Sequence, residues 1–249
     1  MEKKYIVIAI AIILAFIIHG SFIGRAITRF KKEDRSISVK GFSEKEVKSN
    51  MAVWTIKIRI TTNDLGQGSN EIEDLKNKVI QFLLKNQITN DELVQKELNV
   101  NDKMAQDYGN DQVFKYRYII ENVMQVRSTN VDNIQKISRM TDELLKAGVV
   151  VSSNQEYNPS VKYMYTKLNE IKTAMLSEAA LNAKGAALEF AKNNEVSLGK
   201  LKRANQGLFT ISDRDDAMVS QSDANGYEMN VNDVFKRVRV VINVEYSID

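Results

Sequence analysis

Acidic residues cluster in one glycine-containing stretch near the C-terminal end, where carboxylate oxygens could bind a hard cation such as Ca²⁺. The stretch runs from Ser212-Asp213-Arg214-Asp215-Asp216 to Asp223-Ala224-Asn225-Gly226. An EF-hand loop that starts at Asp213 requires a carboxylate at position 224, where this chain has Ala224. The pattern therefore fails as a calcium loop, and the composition favours an exposed polar hairpin loop.

Two pairs of adjacent acids, Asp91-Glu92 and Asp215-Asp216, are of the residue type that general acid–base catalysis uses. Nothing in the sequence places either pair in a pocket, so solvated loop charges are the simpler interpretation. The stretch Gly66-Gln67-Gly68 lacks the third glycine of a dinucleotide-binding turn and the lysine of a P-loop. It is interpreted as a turn before a helix.

Aromatic and basic residues alternate in Lys115-Tyr116-Arg117-Tyr118, a pattern that could stack on nucleic-acid bases. Such alternation is also typical of an ordinary strand with two different faces. The chain carries 35 Lys and Arg against 32 Asp and Glu, a formal net charge of +3. We therefore expect no nucleic-acid partner.

The composition excludes most other kinds of catalytic site. The chain has no cysteine and one histidine, His19, which lies inside an apolar run. Thiol nucleophiles, Fe–S clusters, disulfides and thiolate zinc sites are impossible, and a Ser-His-Asp triad in the body is excluded as well. We predict no catalytic residue, no cofactor and no metal site, and hence a protein that is not an enzyme.

The N-terminal apolar run predicts a membrane anchor. After a short basic N-terminus (residues 1–4), residues 5–24 are long enough to cross a ~30 Å hydrocarbon core as a helix with ~1.5 Å rise per residue. The alternative is a cleaved signal peptide, but its best cleavage triplet, Gly24-Arg25-Ala26, has an arginine in the middle. The residues predicted to anchor the chain in lipid are Ile6, Ile8, Ile10, Ile12, Leu14, Phe16 and Ile18.

The residues that flank this run bear on its orientation. Basic residues follow it in a linker (residues 25–34) and at Arg35, whereas only Lys3 and Lys4 precede it. A positive-inside count would therefore leave the body in the cytoplasm. The linker charges themselves are interpreted as solvated groups that could touch lipid phosphates.

Residues 35–249 predict one α/β (α+β) domain. Strands are predicted at 36–40, 54–61, 93–100, 113–126, 149–157, 198–208 and 234–246, with the charged stretch 44–48 between the first two. A helix is expected from Asn70, with Glu73 completing its cap, and a second from Asn130 to Gly148. Lys115–Ile120 and Arg237–Ile242 share a basic and apolar pattern, which suggests two β-α-β-β units with a joining helix.

A long alanine-rich helix is predicted after Pro159, the only proline. Its apolar stripe passes from large residues to small ones, including Ala179, Ala183, Ala186 and Phe190. Small side chains allow close backbone approach, so the stripe could be an oligomer seam. Packing on the chain's own sheet is the alternative that amphipathic helices more often adopt.

Three stretches carry a resemblance to a known family. The segment from Asp34 through Ser36-Ile-Ser-Val-Lys-Gly-Phe-Ser-Glu-Lys-Glu-Val47 to Trp54, together with the Ala183-Lys-Gly-Ala-Ala187 helix and Val196-Ser-Leu-Gly-Lys-Leu201, resembles the SIMPL-domain family of bacterial envelope proteins. The likeness covers residues from Arg35 to the C-terminus. It implies an α/β fold, export to or across the inner membrane, large ring-like homo-oligomers and a link to oxidative-stress tolerance, and it supplies no active-site residues.

The family resemblance favours a periplasmic body, whereas the positive-inside count of basic residues favours a cytoplasmic one. We follow the resemblance. We therefore expect a single-pass inner-membrane protein that contacts lipid through its N-terminal helix and forms a scaffold or channel-like homo-oligomer. The alternative is a monomeric envelope module that binds a small ligand or a partner protein in a sheet–helix groove.

Overall fold

The computed structural model describes residues 19–21, 35–105, 115–151, 161–214 and 233–249. The predicted anchor, the linker, Pro159 and the acidic stretch beyond Arg214 lie outside these ranges, apart from residues 19–21 of the anchor. Among the described residues, no helix is both long and apolar enough to cross a membrane.

From Arg35 onward, the described residues form a mixed α+β structure with seven strands and four α-helices. In chain order these are β1 (Ser36–Lys48), β2 (Met51–Thr62), α1 (Leu65–Lys85), β3 (Leu93–Asp102), β4 (Tyr118–Ser128), α2 (Val131–Ile137), α3 (Thr141–Lys146), β5 (Val161–Met164), α4 (Leu168–Asn193), β6 (Leu198–Asp213) and β7 (Phe235–Ile248). A short 3₁₀ turn, Asn90–Glu92, precedes β3. The strands make two antiparallel sheets, ordered β1-β7-β6 and β3-β4-β2-β5.

The chain divides into two compact units. The first comprises residues 1–45, 171–210 and 239–249, and the second comprises residues 46–170 and 211–238. The order β-α-β-β occurs twice in the chain, as the sequence suggested. The pairing is not repeated, however, because β5 joins β2 in the four-stranded sheet while β6 and β7 join β1.

The core of the second unit is built from large side chains. Every second residue of β2 from Ala52 to Ile60 is buried, which is the period of a strand with one face on a core. Helix α1 covers this face with Ile72, Val79, Phe82 and Leu83. Trp54, Ile56 and Ile58 supply the centre of the sheet side and are almost fully buried.

Helix α1 begins earlier than the sequence predicted. Its N-cap is Asp64, whose carboxylate accepts a hydrogen bond from the Gln67 N–H at 3.0 Å, so the Asn70–Glu73 capping prediction is wrong. Gly66 and Gly68 lie in the first turns of the helix and do not form a separate turn. A Cβ at Gly68 would lie 2.7 Å from Ile120 Cδ1, so glycine allows the helix start to approach β4 closely.

Other boundaries differ in smaller ways. The charged stretch 44–48 belongs to β1 instead of separating two strands, because its polar side chains lie on exposed positions of a continuing strand. Asn130 caps a helix as predicted, accepting from the Asn133 N–H at 3.2 Å, and Gly148 ends the helical region with φ +80°. The helical region is divided into α2 and α3, and of the predicted strand 149–157 the described residues show only a Val151–Ile58 bridge.

Candidate functional site

Strand β6 is the longest exposed edge in the described part of the chain. It spans sixteen residues at one end of its sheet, and the described residues provide only β7 as a neighbour. Residues 200–206 are all exposed, and two leucines of the strand are solvated, Leu201 at 53% and Leu208 at 88%. An edge strand with exposed apolar side chains is a template for pairing with another chain.

Strand β3 is the edge of the four-stranded sheet and is also apolar and exposed. Val94, Leu98 and Val100 are exposed, and the described residues pair β3 with β4 alone. The β3–β4 register shifts between Gln95 and Glu97, which leaves Lys96 as the extra residue of a bulge. A bulge with a charged residue is a recognised protection against edge pairing, and β3 carries this protection.

The alanine stripe of α4 lies against the sheet of its own unit. Ala179 and Ala183 are fully buried beside Gly41 of β1, Ala186 is half-buried, and Phe190 is 56% exposed. The buried row on this helix is Met175, Ala179, Ala183, Ala187 and Ala191. The structure thus places two residues of the predicted stripe in packing contact and leaves Phe190 on the solvent side with Leu181 and Leu188.

A buried ion pair, which the sequence analysis did not identify, joins the end of β6 to the start of β7. Lys236 is 1% exposed, and its ammonium donates a short hydrogen bond to the Asp213 carboxylate. Asp213 also accepts from the backbone N–H of Asp233 at 3.2 Å. The sequence favours a solvated loop at Asp213, because a single sequence does not reveal that this residue lies opposite a buried lysine.

Arg214 extends this ion pair into a small network. Its guanidinium lies 3.5 Å from Glu46 Oε1 and 3.6 Å from Asp233 Oδ2, and it stacks over the Phe235 ring at 5.2 Å. Opposite charges thus compensate each other within the cluster, which is the pattern of a structural ion-pair network. Among the described residues, no group of three or more His, Cys, Asp or Glu side chains is arranged to hold a metal ion.

The acidic pair Asp91-Glu92, a candidate for acid–base chemistry in the sequence, makes local contacts. Glu92 accepts hydrogen bonds from the Thr89 N–H at 2.9 Å and hydroxyl at 3.1 Å. Burial raises the pKa of its carboxyl, but hydrogen bonds from Ser128 and Thr89 outweigh burial and leave the pKa below its ordinary value. Its neighbour Asp91 is exposed.

The aromatic and basic stretch before β4 is engaged in similar local pairs. Lys115 lies over the ring of Tyr116, and Arg117 lies over the ring of Tyr118. Arg117 also forms a salt bridge with Asp102 at 2.8 Å, and its hydrogen bond holds the pKa of that carboxyl below its ordinary value. These basic groups are therefore already occupied by neighbours of the same chain.

A cleft opens between α1 and β3 in the second unit. It has a volume of about 270 Å³, and its lining combines the apolar side chains Ile80, Leu93, Val94 and Met124 with Lys76, Asn90 and Gln95. Pockets for small ligands usually span about 300–1,000 Å³. The cleft is thus slightly smaller than that range, so any ligand it holds must be small.

Comparison with known proteins relates this chain to one protein family. A search of curated proteins finds no match to this chain. A family model described as SIMPL, a protein of unknown function (DUF541), matches residues 37–246, a range that begins in β1 and ends in β7. The chain therefore belongs to the SIMPL family.

Proposed function

We propose that this SIMPL-family protein is a membrane-anchored, non-enzymatic subunit of the bacterial envelope that self-associates through the β6 edge into a scaffold or channel-like oligomer. The observation that carries the proposal is Leu208, which is 88% exposed on a long edge strand. A large apolar side chain so exposed on a long edge strand favours coverage by another copy.

The residue order along β6 supports antiparallel pairing with a second copy. A twofold axis perpendicular to the sheet makes one residue face itself, and Asn205 is a suitable centre. Leu201 then faces Phe209 of the second copy, and Lys202 faces Leu208. Lys200 and Arg203 face Thr210 and Gly207, so every basic residue of the strand is opposite an uncharged one. Parallel in-register pairing would instead place like charges side by side.

The predicted anchor would help this association. Tethering copies to one bilayer by residues 5–24 raises the effective concentration of each β6 edge for the others. A periplasmic body and a role in oxidative-stress tolerance are parts of the same proposal. After cell breakage, the full-length chain should sediment with membranes, and soluble full-length protein with an intact N-terminus would contradict the anchor.

Disulfide trapping tests the β6 interface sharply because the native chain has no cysteine. Directly opposed residues in antiparallel strands have Cβ atoms about 4.5–5.5 Å apart, close to the separation that a disulfide requires. Asn205→Cys in the full-length membrane-embedded protein should give a covalent dimer under mild oxidation. The matched control, Asn99→Cys, places an exposed cysteine on β3 and should remain largely monomeric.

A mass measurement in lipid nanodiscs or mild detergent complements the trapping. The native chain should have a mass several times 28.3 kDa. Leu208→Lys, which would face Lys202 of the second copy with a like charge, should reduce it, whereas Leu181→Lys, on the 67% exposed position of α4, should leave it unchanged. A monomeric native chain, or dimers from Asn99→Cys and none from Asn205→Cys, would overturn the proposal.

A further inference from the structure

The bulge in β3 decides which residues continue the cleft-lining face of the strand beyond the cleft between α1 and β3. Leu93 and Gln95 pair with Val126 and Met124 of β4, whereas Leu98 and Val100 pair with Asn122 and Ile120. All four β4 partners are buried on the helix-covered face, so their β3 partners lie on that face too. The extra residue Lys96 shifts by one residue the alternation of β3 side chains between the two faces of the sheet.

The consequence is that three apolar residues of β3 share the face beside the helix, with Gln95 between Leu93 and Leu98. In a strand without a bulge, Leu93 and Leu98 would point to opposite faces. Here Leu93 lines the cleft, and Leu98 and Val100 extend the same face beyond it at 56% and 52% exposure. Aliphatic side chains of this kind match an alkyl chain, which bends to fit a narrow groove.

One charge lies among the lining residues that the structure describes, the ammonium of Lys76. Its side chain is 25% exposed and pairs at 3.0 Å with Glu73, which lies one turn away and is 56% exposed. An exposed pair of this spacing contributes only about 0.2–0.5 kcal/mol. A carboxylate held over the cleft can therefore compete with Glu73 for Lys76.

The same lining argues against other ligand classes. The described lining residues include no aromatic side chain on which a sugar or base could stack. They also include no arginine and only one cation, which is too little positive charge for a polyphosphate. Gln95 and Asn90 add neutral amides that can donate a hydrogen bond to an oxygen.

We propose that the α1–β3 cleft binds a small aliphatic monocarboxylate, with the carboxylate on Lys76 and the alkyl chain along Leu93 and Met124 toward Leu98. This site is independent of the β6 edge, and its occupancy does not require self-association. A free alkyl carboxylate is the ligand proposed, rather than an acyl chain of an intact membrane lipid.

Photoaffinity labelling of the full-length chain in phosphatidylcholine nanodiscs tests the site. The probe is a decanoate that carries a diazirine on its chain, and mass spectrometry locates the labelled peptides. Label should concentrate in α1 and β3, and octanoate should compete at least about fivefold better than octanol, which cannot make a charge-assisted contact with Lys76. Because lipid acyl chains are present throughout, labelling that octanoate does not reduce would assign the cleft to lipid and overturn the proposal.

Two lysine variants on the same helix provide the matched comparison. Lys76→Gln should reduce labelling about fivefold to tenfold, the effect of losing one partly solvated charge-assisted contact. Lys78→Gln removes an exposed charge two residues away and should leave labelling unchanged. Equal effects of the two variants, or label spread evenly over the surface, would overturn the proposal. Circular dichroism of both variants confirms that the fold is retained.

Discussion

Helices α4 and α1 each cover one face of an antiparallel sheet, but they pack by different means. Helix α4 turns four alanines, Ala179, Ala183, Ala187 and Ala191, inward at a spacing of four residues. Helix α1 turns Ile72, Val79, Phe82 and Leu83 inward. The first helix gains contact by approaching the backbone of β1, and the second by filling space with large side chains.

Because of this difference, the two cores should respond differently to larger side chains and to smaller ones. Close packing of small residues leaves no room for added atoms, so a larger side chain lowers the free energy of unfolding substantially. A smaller side chain changes it little, because few buried atoms are removed. Packing of large residues buries much apolar area per side chain, so truncation leaves a cavity. The α4–β1 contact should therefore be sensitive to enlargement, and the α1 core to truncation.

The largest effect is expected from truncation in the second unit. Leu83→Ala removes a fully buried side chain and should lower the free energy of unfolding by about 2–5 kcal/mol. The adjacent Leu84→Ala, at a position 43% exposed, should cost less than about 1 kcal/mol. Urea titration of both variants measures the difference, and equal losses would contradict the cavity argument.

Enlargement in the first unit should have the next largest effect. A Cβ at Gly41 would overlap the Ala179 carbonyl oxygen and lie 2.6 Å from Ala183 Cβ, so Gly41→Ala should cost about 1–3 kcal/mol. Gly185→Ala is the matched control on α4, where a Cβ meets nothing within 4 Å. The control should stabilise the protein by about 0.5–1 kcal/mol through helix propensity.

Thermal unfolding monitored by circular dichroism distinguishes these glycine variants. A higher melting temperature for Gly41→Ala would show that β1 and α4 can separate without cost. The proposed close approach would then be wrong.

The smallest effect concerns pH and the capping turn of the second unit. Because the pKa of Glu92 is lowered in the folded state, its carboxylate stabilises the protein above the pKa of the unfolded chain. That contribution is lost as the pH falls through the folded-state pKa. Glu92→Gln should cost under about 1 kcal/mol at pH 7, and the difference from the native chain should shrink below about pH 4. A difference that grows on acidification would contradict this sign.

Local periodicity accounts for most of the elements that the sequence predicted. The alternation around Trp54 fixes a half-buried strand, and Asn130 caps a helix because its side chain needs only its own backbone neighbours. Asp64 was missed as the cap of α1 because Asn70 offers the same capping chemistry further along. The two candidates differ only in whether residues 65–69 pack on the sheet.

The features that carry the proposals depend on pairing between distant segments. The bulge at Lys96 exists only relative to β4, so the sequence alternation of β3 does not reveal which face Leu98 occupies. The exposure of Leu208 likewise depends on the position of β6 at an edge. Sequence patterns indicated strands at both places, but not their edge positions or their uncovered apolar faces.

The buried contact between Lys236 and Asp213 has a consequence for how β6 and β7 align. A slip of one residue between the strands would turn one of the two side chains to the opposite face. The other would then remain inside without a counter-ion, at a cost of about 3–5 kcal/mol. A misaligned pairing of β6 with β7 therefore costs far more than it would if apolar residues alone set the alignment.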